Sequence, residues 1–324
     1  MSDEKVSGTS PAIAVDLGAT SLRVGLVTRT GHIERLIVTP MPEDPADAET
    51  ITGLIIRQIR AIVPEQAIRA SAGIGIGAAG PVNRSHTTIM HPPNIPLDTI
   101  PVSGPLATEF GLPVRLVNDC CAGLIGEAYF GEGRGCKNFV YLTLSTGIGA
   151  GIIANGRAVT GRDGNAGEVG HLFVDSDYDL TCGCGGMGHW EGYASGRFLP
   201  RFYHAWQERT GIVPVPGTIQ SAPDVFHAVR QDPDPGQHGF IRELGRINAR
   251  GISDIIVAYD PETIVLDGSV VLKNPDLIIP PMEAYVDRYL PMPRLCMSSL
   301  SGHAPLLGAA VIANGYETRF GSVE

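Results

Sequence analysis

The chain has 324 residues, 43% apolar and 18% charged, with a formal net charge of −10, a size and composition that suit a folded globular protein of two domains. The acidic balance argues against nucleic acid as the main partner, because phosphate binding needs clustered Lys and Arg, and no apolar run approaches the roughly 20 residues that span a bilayer. The opening "MSDEKVSGTS" lacks the apolar stretch of a signal peptide, so the expected location is cytoplasmic and reducing, away from any membrane, and the cysteines are read as thiols or ligands rather than disulfides.

In chain order, "AIAVD" (12–16) reads as the first strand and "LGATSLRVGLVTRTGHI" as a glycine-turned hairpin. Residues 47–63 carry Ile51, Leu54, Ile55, Ile59 and Ile62 at helical spacing, which predicts a helix packed on a sheet. "SAGIGIGAAG" (71–80) is a strand running into a loop at Pro81, and "MHPPNIPLDTIP" is a proline-rich loop. "VRLVND" is a buried strand whose last residues start a helix through "CCAGLIGEAYFG". "NFVYLTLSTGIGAGIIANG" (138–156) is a second glycine-turned hairpin. A Cys/His-rich loop follows, and the chain then turns helical over 191–210, 222–231 and 238–259. "TIVLDGSVV" (263–271) is a strand entering a glycine turn, and "PLLGAAVIANGYE" closes the chain as a helix. Alternating strands and helices give the α/β class. The two hairpins echo each other, one per half, which suggests two related lobes facing across a cleft.

Gly75-x-Gly77-x-x-Gly80 matches the dinucleotide fingerprint formally, yet Pro81 and a loop stand where a helix N-terminus should hold the pyrophosphate. A strand approached closely by another backbone or a ligand is the better account. Phosphates have another candidate cradle, the hairpin bends, where Gly18, Thr20, Thr146, Gly147 and Gly149 offer amides and hydroxyls. Each bend alone is equally a plain tight turn; the pair, with Asp16 able to organise Mg²⁺ through water, favours a nucleotide. Asn118-Asp119, ending a strand and opening a helix, fits an N-cap and equally a general base facing a cleft. Glu168, His171 and Glu191 supply the acceptors and donor that a polyol needs. For Cys182-Gly183-Cys184 between two histidines, a metal site, a redox pair and an incidental loop all stay open.

Taken together in this order, "AVDLGATSLRVGLV", "GIGAAGPV", "VNDCCAGLIGEAYFGEGRG", "LTLSTGIGAGIIANGR", "GNAGEVGHLFVD", "CGCGGMGHWE" and "IVLDGSVV" resemble the ROK family of sugar kinases and repressors along nearly the whole chain. The resemblance implies a two-lobed actin/hexokinase-like (ribonuclease H-like) ATPase fold with a central cleft that closes on sugar. The lobes would be 1–117 plus 305–324, and 118–304. It implies an ATP-dependent hexose kinase acting on the 6-hydroxyl, glucose first, with N-acetylmannosamine or fructose as alternatives, and a homodimer or homotetramer. Asp119 matches the catalytic base. Asn118, Glu168, His171 and Glu191 match sugar contacts; Gly18, Thr20, Thr146 and Gly147 match phosphate contacts, and Gly268 the adenosine side. His171, Cys182 and Cys184 match ligands of a structural zinc whose remaining cysteine is here His189. A second departure is Cys121, where the family's Asn-Asp-x-Asn carries its second amide. The family's repressors carry a winged helix ahead of the first hairpin; about ten residues stand there in this sequence, which favours the kinase branch.

Overall fold

The computed structural model describes residues 10–315 except 43, 84, 93, 94, 214–216, 218, 235 and 237. Residues 1–9, on which the reading of the leader rests, and 316–324 of the expected first lobe lie outside the described residues. The rest falls into two compact units, the described parts of Met1–Gly135, Arg157–Ala166 and His303–Glu324, and of Cys136–Gly156 with Gly167–Gly302.

In the first unit, β1 (Ala12–Leu17) is buried along its whole length. It pairs antiparallel with β2 (Ser21–Val27) and parallel with β4 (Ile74–Ala78). The sheet is completed by β3 (Ile33–Pro40) on the β2 side and by β5 (Val114–Asn118), parallel to β4, on the other. Side chains alternate across a strand, and β4 shows why its sequence alternates isoleucine with glycine. Ile74 and Ile76 join one core with Ile51, Ile55 and Ile59 of α1 (Ala48–Ile62), the helix expected from their spacing and capped by Asp47, which accepts the Thr50 amide at 2.8 Å. Gly75 turns the other way, where any Cβ would overlap the carbonyl oxygen of Ala309 in the closing helix, Ala304–Ala313. The glycines are there for helix packing, not for a dinucleotide.

The helix α2 (Asp119–Phe130) packs against the closing helix and against β4. That contact keeps residues 118–135 with the first unit, whereas the sequence boundary had opened the second lobe at 118.

The second unit repeats the scheme. β6 (Phe139–Leu144) and β7 (Ile148–Ala154) form the second hairpin, β8 (Thr263–Asp267) pairs parallel with β6, and β9 (Arg294–Met297) parallel with β8. The echo between the two hairpins therefore extends to strand pairing. The strand expected over 263–271 stops at Asp267. Gly268 takes φ +98°, a left-handed turn, and a short helix, Ser269–Lys273, follows. The helix expected over 191–210 is interrupted, with segments Glu191–Ala194 and Leu199–Thr210. Between them the Gly196 and Arg197 amides leave the helical pattern to donate to Ser145 and Thr146 carbonyls at 2.7 and 3.3 Å. Behind these segments runs α3 (Gly239–Tyr259), packed on helix Pro275–Tyr285. Among the described residues, no helix is long and apolar enough to cross a membrane.

Candidate active site and metal loop

The first unit gathers its candidates at the carboxyl ends of parallel strands, the edge where open α/β sheets bind ligands. Asp16 lies opposite Gly77 and Asn118 opposite Ala78, so both flank β4, two strand spacings or about 10 Å apart. Asn118 caps α2: its Oδ1 accepts the Cys120 amide at 2.8 Å and its Nδ2 donates to the Gly80 carbonyl at 3.1 Å. Asp119 is the first residue of that helix, and its Oδ1 also accepts the Cys120 amide at 2.8 Å. Asn118 is therefore the cap of the helix, and the candidate base Asp119 is the residue after it. Cys121, at the departed family position, is half-buried against a small core with Val117 and Ala122.

The first bend differs from expectation in one respect. The Gly18 amide closes the turn on the Ser21 carbonyl at 2.9 Å, so it is not a spare phosphate donor; Thr20, exposed beside it, accepts the Met41 amide through its carbonyl at 3.0 Å. Asp16 is buried to 7% exposure and accepts from Arg23 Nη1 at 3.1 Å. A carboxylate anchored this way fits an indirect hold on Mg²⁺ through water better than direct ligation of the ion.

The second unit brings together Thr146, Gly147, Glu191, His171, Glu168 and the cysteine loop. The β6–β7 turn is closed by the Ser145 amide on the Gly147 carbonyl at 2.9 Å. The next amide, Ile148, donates to Glu191 Oε2 at 3.0 Å, and a Cβ on Gly147 would stand 2.7 Å from the same oxygen. The Glu191 carboxylate therefore sits against the turn expected to hold phosphate, a link between residues 43 positions apart that no motif marks. Gly268 is fixed by Asp267, whose Oδ1 accepts its amide at 2.7 Å while Oδ2 accepts the Tyr141 hydroxyl at 2.9 Å. The hydroxyls of Ser145 and Ser269 lie 3.4 Å apart, so the Gly268 turn and the hairpin turn are neighbours.

In the loop, the ligand atoms of His171, Cys182, Cys184 and His189 all lie within 4.8 Å of one another. Cys182 Sγ is 3.8 Å from His171 Nδ1, and Cys184 Sγ is 3.2 Å from His189 Nδ1. Tetrahedral zinc with bonds of about 2.0–2.3 Å holds its ligands about 3.3–3.8 Å apart, so small side-chain rotations complete the set. The chain builds this with a miniature hairpin: Phe173 bridges to His189 and Thr181 to Met187, and the Cys182 amide reaches the Gly186 carbonyl at 2.7 Å. His171 turns its other nitrogen, Nε2, to Glu168 Oε2 at 3.7 Å, as a metal-bound imidazole turns its free nitrogen to a carboxylate. Desolvation raises the Glu168 carboxyl above the ordinary range; the His171 charge opposes this and the Glu191 charge adds to it. From behind, Arg250 of α3 donates to the Val174 carbonyl at 2.8 Å and to Asp175 Oδ1 at 2.7 Å, and Asp175 Oδ2 accepts the Asp177 amide at 2.9 Å. Neither Arg250 nor Asp175 stood out in the sequence, since they are 75 positions apart and in no motif.

The model of the ROK family matches residues 12–315, and the chain belongs to that family. A glucokinase of Streptomyces coelicolor is 33% identical over 317 residues, covering 93% of this chain and 96% of the relative. The crystal structure of a ROK family glucokinase from Streptomyces griseus, in complex with glucose and AMPPNP, superposes with a TM-score of 0.75 at 30% identity, covering 94% of this chain and all of that one. A ROK family transcriptional regulator, a homolog of the E. coli MLC protein, gives a TM-score of 0.78 at 25% identity, covering 96% of this chain and 80% of its own. The fold is thus the α/β fold of the actin/hexokinase-like ATPases. It is shared by enzymes and regulators, so the choice between them falls to the site.

Proposed function

We propose that this ROK protein is an ATP-dependent hexose kinase that phosphorylates the 6-hydroxyl of glucose with Asp119 as general base. The observation that carries the reading is the placement of Asp119 at the carboxyl end of β5 and the start of α2, within a chain one-third identical to a glucokinase over nearly its full length. A regulator that only senses sugar has no use for a base there. Asp119 takes the proton of the 6-hydroxyl as that oxygen bonds to the γ-phosphorus, the bond to the bridging oxygen breaks, and ADP leaves with the electron pair. Such transfer asks for positioning and charge stabilisation above all. Asn118, Glu168, His171 and Glu191 are assigned to the sugar, and Thr20, Thr146, Gly147 and Gly268 to the nucleotide, with Gly18 shaping its turn. Asp16 would hold Mg²⁺, which would supply charge neutralisation on the phosphates.

The donor set of His171, Cys182, Cys184 and His189 suits Zn²⁺, since imidazole and thiolate are both its common ligands. These four residues would hold zinc, which would clamp the loop that carries His171 at one end and Glu191 at the other.

A coupled ADP-release assay of purified protein with Mg-ATP and glucose, N-acetylmannosamine, N-acetylglucosamine, mannose or fructose tests the reading. Glucose is expected to give the highest kcat/KM; preference for N-acetylmannosamine or fructose would reassign the substrate, and no stimulation by any sugar would overturn the kinase.

A further inference from the structure

We propose that Asn248 is a positioning residue for the hexose, fixing through Trp190 where the Glu191 carboxylate stands. The inference rests on the reading of Glu191 as a sugar contact. Trp190 is fully buried and Asn248 is 1% exposed, and the indole Nε1 donates to Asn248 Oδ1 at 2.8 Å. Trp190 stands between His189 of the metal loop and Glu191, so the seat of its ring governs the backbone that carries both. Its amide donates to the Leu172 carbonyl at 2.9 Å, one residue past His171. Its carbonyl accepts the Tyr193 and Ala194 amides, each at 3.1 Å, and so opens the helix Glu191–Ala194. A helix of one turn has no stability of its own; its direction comes from packing. That packing comes from α3 on two sides. Asn248 latches the indole nitrogen, and three residues on, Gly251 lies flat under the ring, where any Cβ would overlap the indole. At the far end of this lever, Glu191 Oε2 takes the Ile148 amide at 3.0 Å and Oε1 lies 3.8 Å from Cys182 Sγ. Both neighbours are fixed in place, so a small swing of Trp190 moves the carboxylate off its seat. Without the Asn248 acceptor, a buried indole N–H is left unpaired, and the ring must shift to find another partner.

The test compares Asn248→Leu, which removes the acceptor and keeps the branched side-chain shape with some added bulk, with Trp190→Phe, which removes the donor, and with the double variant. In each, KM for glucose, KM for ATP, kcat and the thermal midpoint are measured. Asn248→Leu is expected to raise the glucose KM about tenfold and the ATP KM only about two- to threefold, since Glu191 also holds the Ile148 amide of the turn assigned to the nucleotide, with kcat within about twofold of wild type. Trp190→Phe should raise the glucose KM a few-fold, and the double variant should be no worse than Asn248→Leu, because the orphaned N–H is gone. A lowered thermal midpoint with an unchanged glucose KM, or an equal rise in both KM values, would overturn the role of Asn248. If Asn248→Leu does not fold, Trp190→Phe carries the same reading, and a wild-type glucose KM in it overturns the role. A wild-type protein that turns over no hexose would overturn this inference and the kinase reading together, whereas normal wild-type turnover with unaltered variants would overturn this inference alone.

Discussion

In the proposed reading Asp119 is the general base and His189 the fourth ligand of the Cys/His loop, and each role has a direct test. Asp119→Asn keeps the volume of the side chain and an oxygen for the Cys120 amide, so the start of α2 should survive. Its loss as a base should lower kcat by at least ~10²-fold, while glucose affinity measured by calorimetry stays close to wild type. Turnover near wild type in that variant would remove Asp119 from the mechanism. For the loop, elemental analysis of protein purified without a His-tag or added metal should find about one zinc per chain, falling sharply in Cys184→Ser and in His189→Ala. Full zinc in His189→Ala would mean a different fourth ligand. Their places were legible in the sequence for a physical reason: a carboxylate where a strand ends and a helix begins, and Cys and His crowded into a glycine-rich loop, are local patterns, and the structure brings the four Cys/His ligand atoms within 4.8 Å of one another. The use of the Gly18 amide by Ser21, and of Glu191 by the Ile148 amide, was not legible, because each depends on how a turn closes or on partners 43 positions apart.

Among the elements, the loop 170–191 has little regular structure, and its brace is Arg250. The Asp175 carboxylate that Arg250 engages is 3% exposed as a residue, and its remaining oxygen is committed to the Asp177 and Tyr178 amides at 2.9 and 3.2 Å. Arg250→Ala should therefore cost about 2 kcal/mol in urea unfolding, the scale of a charge-assisted hydrogen bond to a buried group, reduced from that of a buried ion pair because Arg250 is itself half-exposed. A change under about 0.5 kcal/mol would show that the loop stands without this brace. Most elements were legible from period and punctuation: α1 from its isoleucines, the hairpins from glycine turns, α2 from Asn118. The two misreadings have different causes. The 191–210 helix breaks because the Gly196 and Arg197 amides are claimed by Ser145 and Thr146, and the strand after Thr263 ends early because Gly268 adopts a left-handed turn. A distant segment decided the first, and the second lies in backbone geometry that hydropathy does not encode.

At the scale of the molecule, the two units share one plan, a hairpin whose first strand pairs parallel with a later strand, Asp16 opposite Gly77 in one and Thr143 opposite Asp267 in the other. That plan was visible in outline, since "VDLGATSLRVGLV" and "LTLSTGIGAGIIA" repeat it, but the division of the chain was not. Residues 118–135 stay with the first unit through the packing of α2 on the closing helix, a contact between segments nearly 200 positions apart. The sequence candidates are distributed over both units: Asp16, Thr20, Asn118 and Asp119 in the first, and the second hairpin, the sugar carboxylates, Gly268 and the metal loop in the second. A kinase reading requires that all of them serve one reaction. The direct measurement is the simultaneous quantitation of ADP and glucose 6-phosphate from purified protein with Mg-ATP and glucose. One glucose 6-phosphate formed for each ADP released, with ADP release nearly absent when glucose is omitted, is the expected result; ADP release that ignores glucose, or none at all, would contradict it.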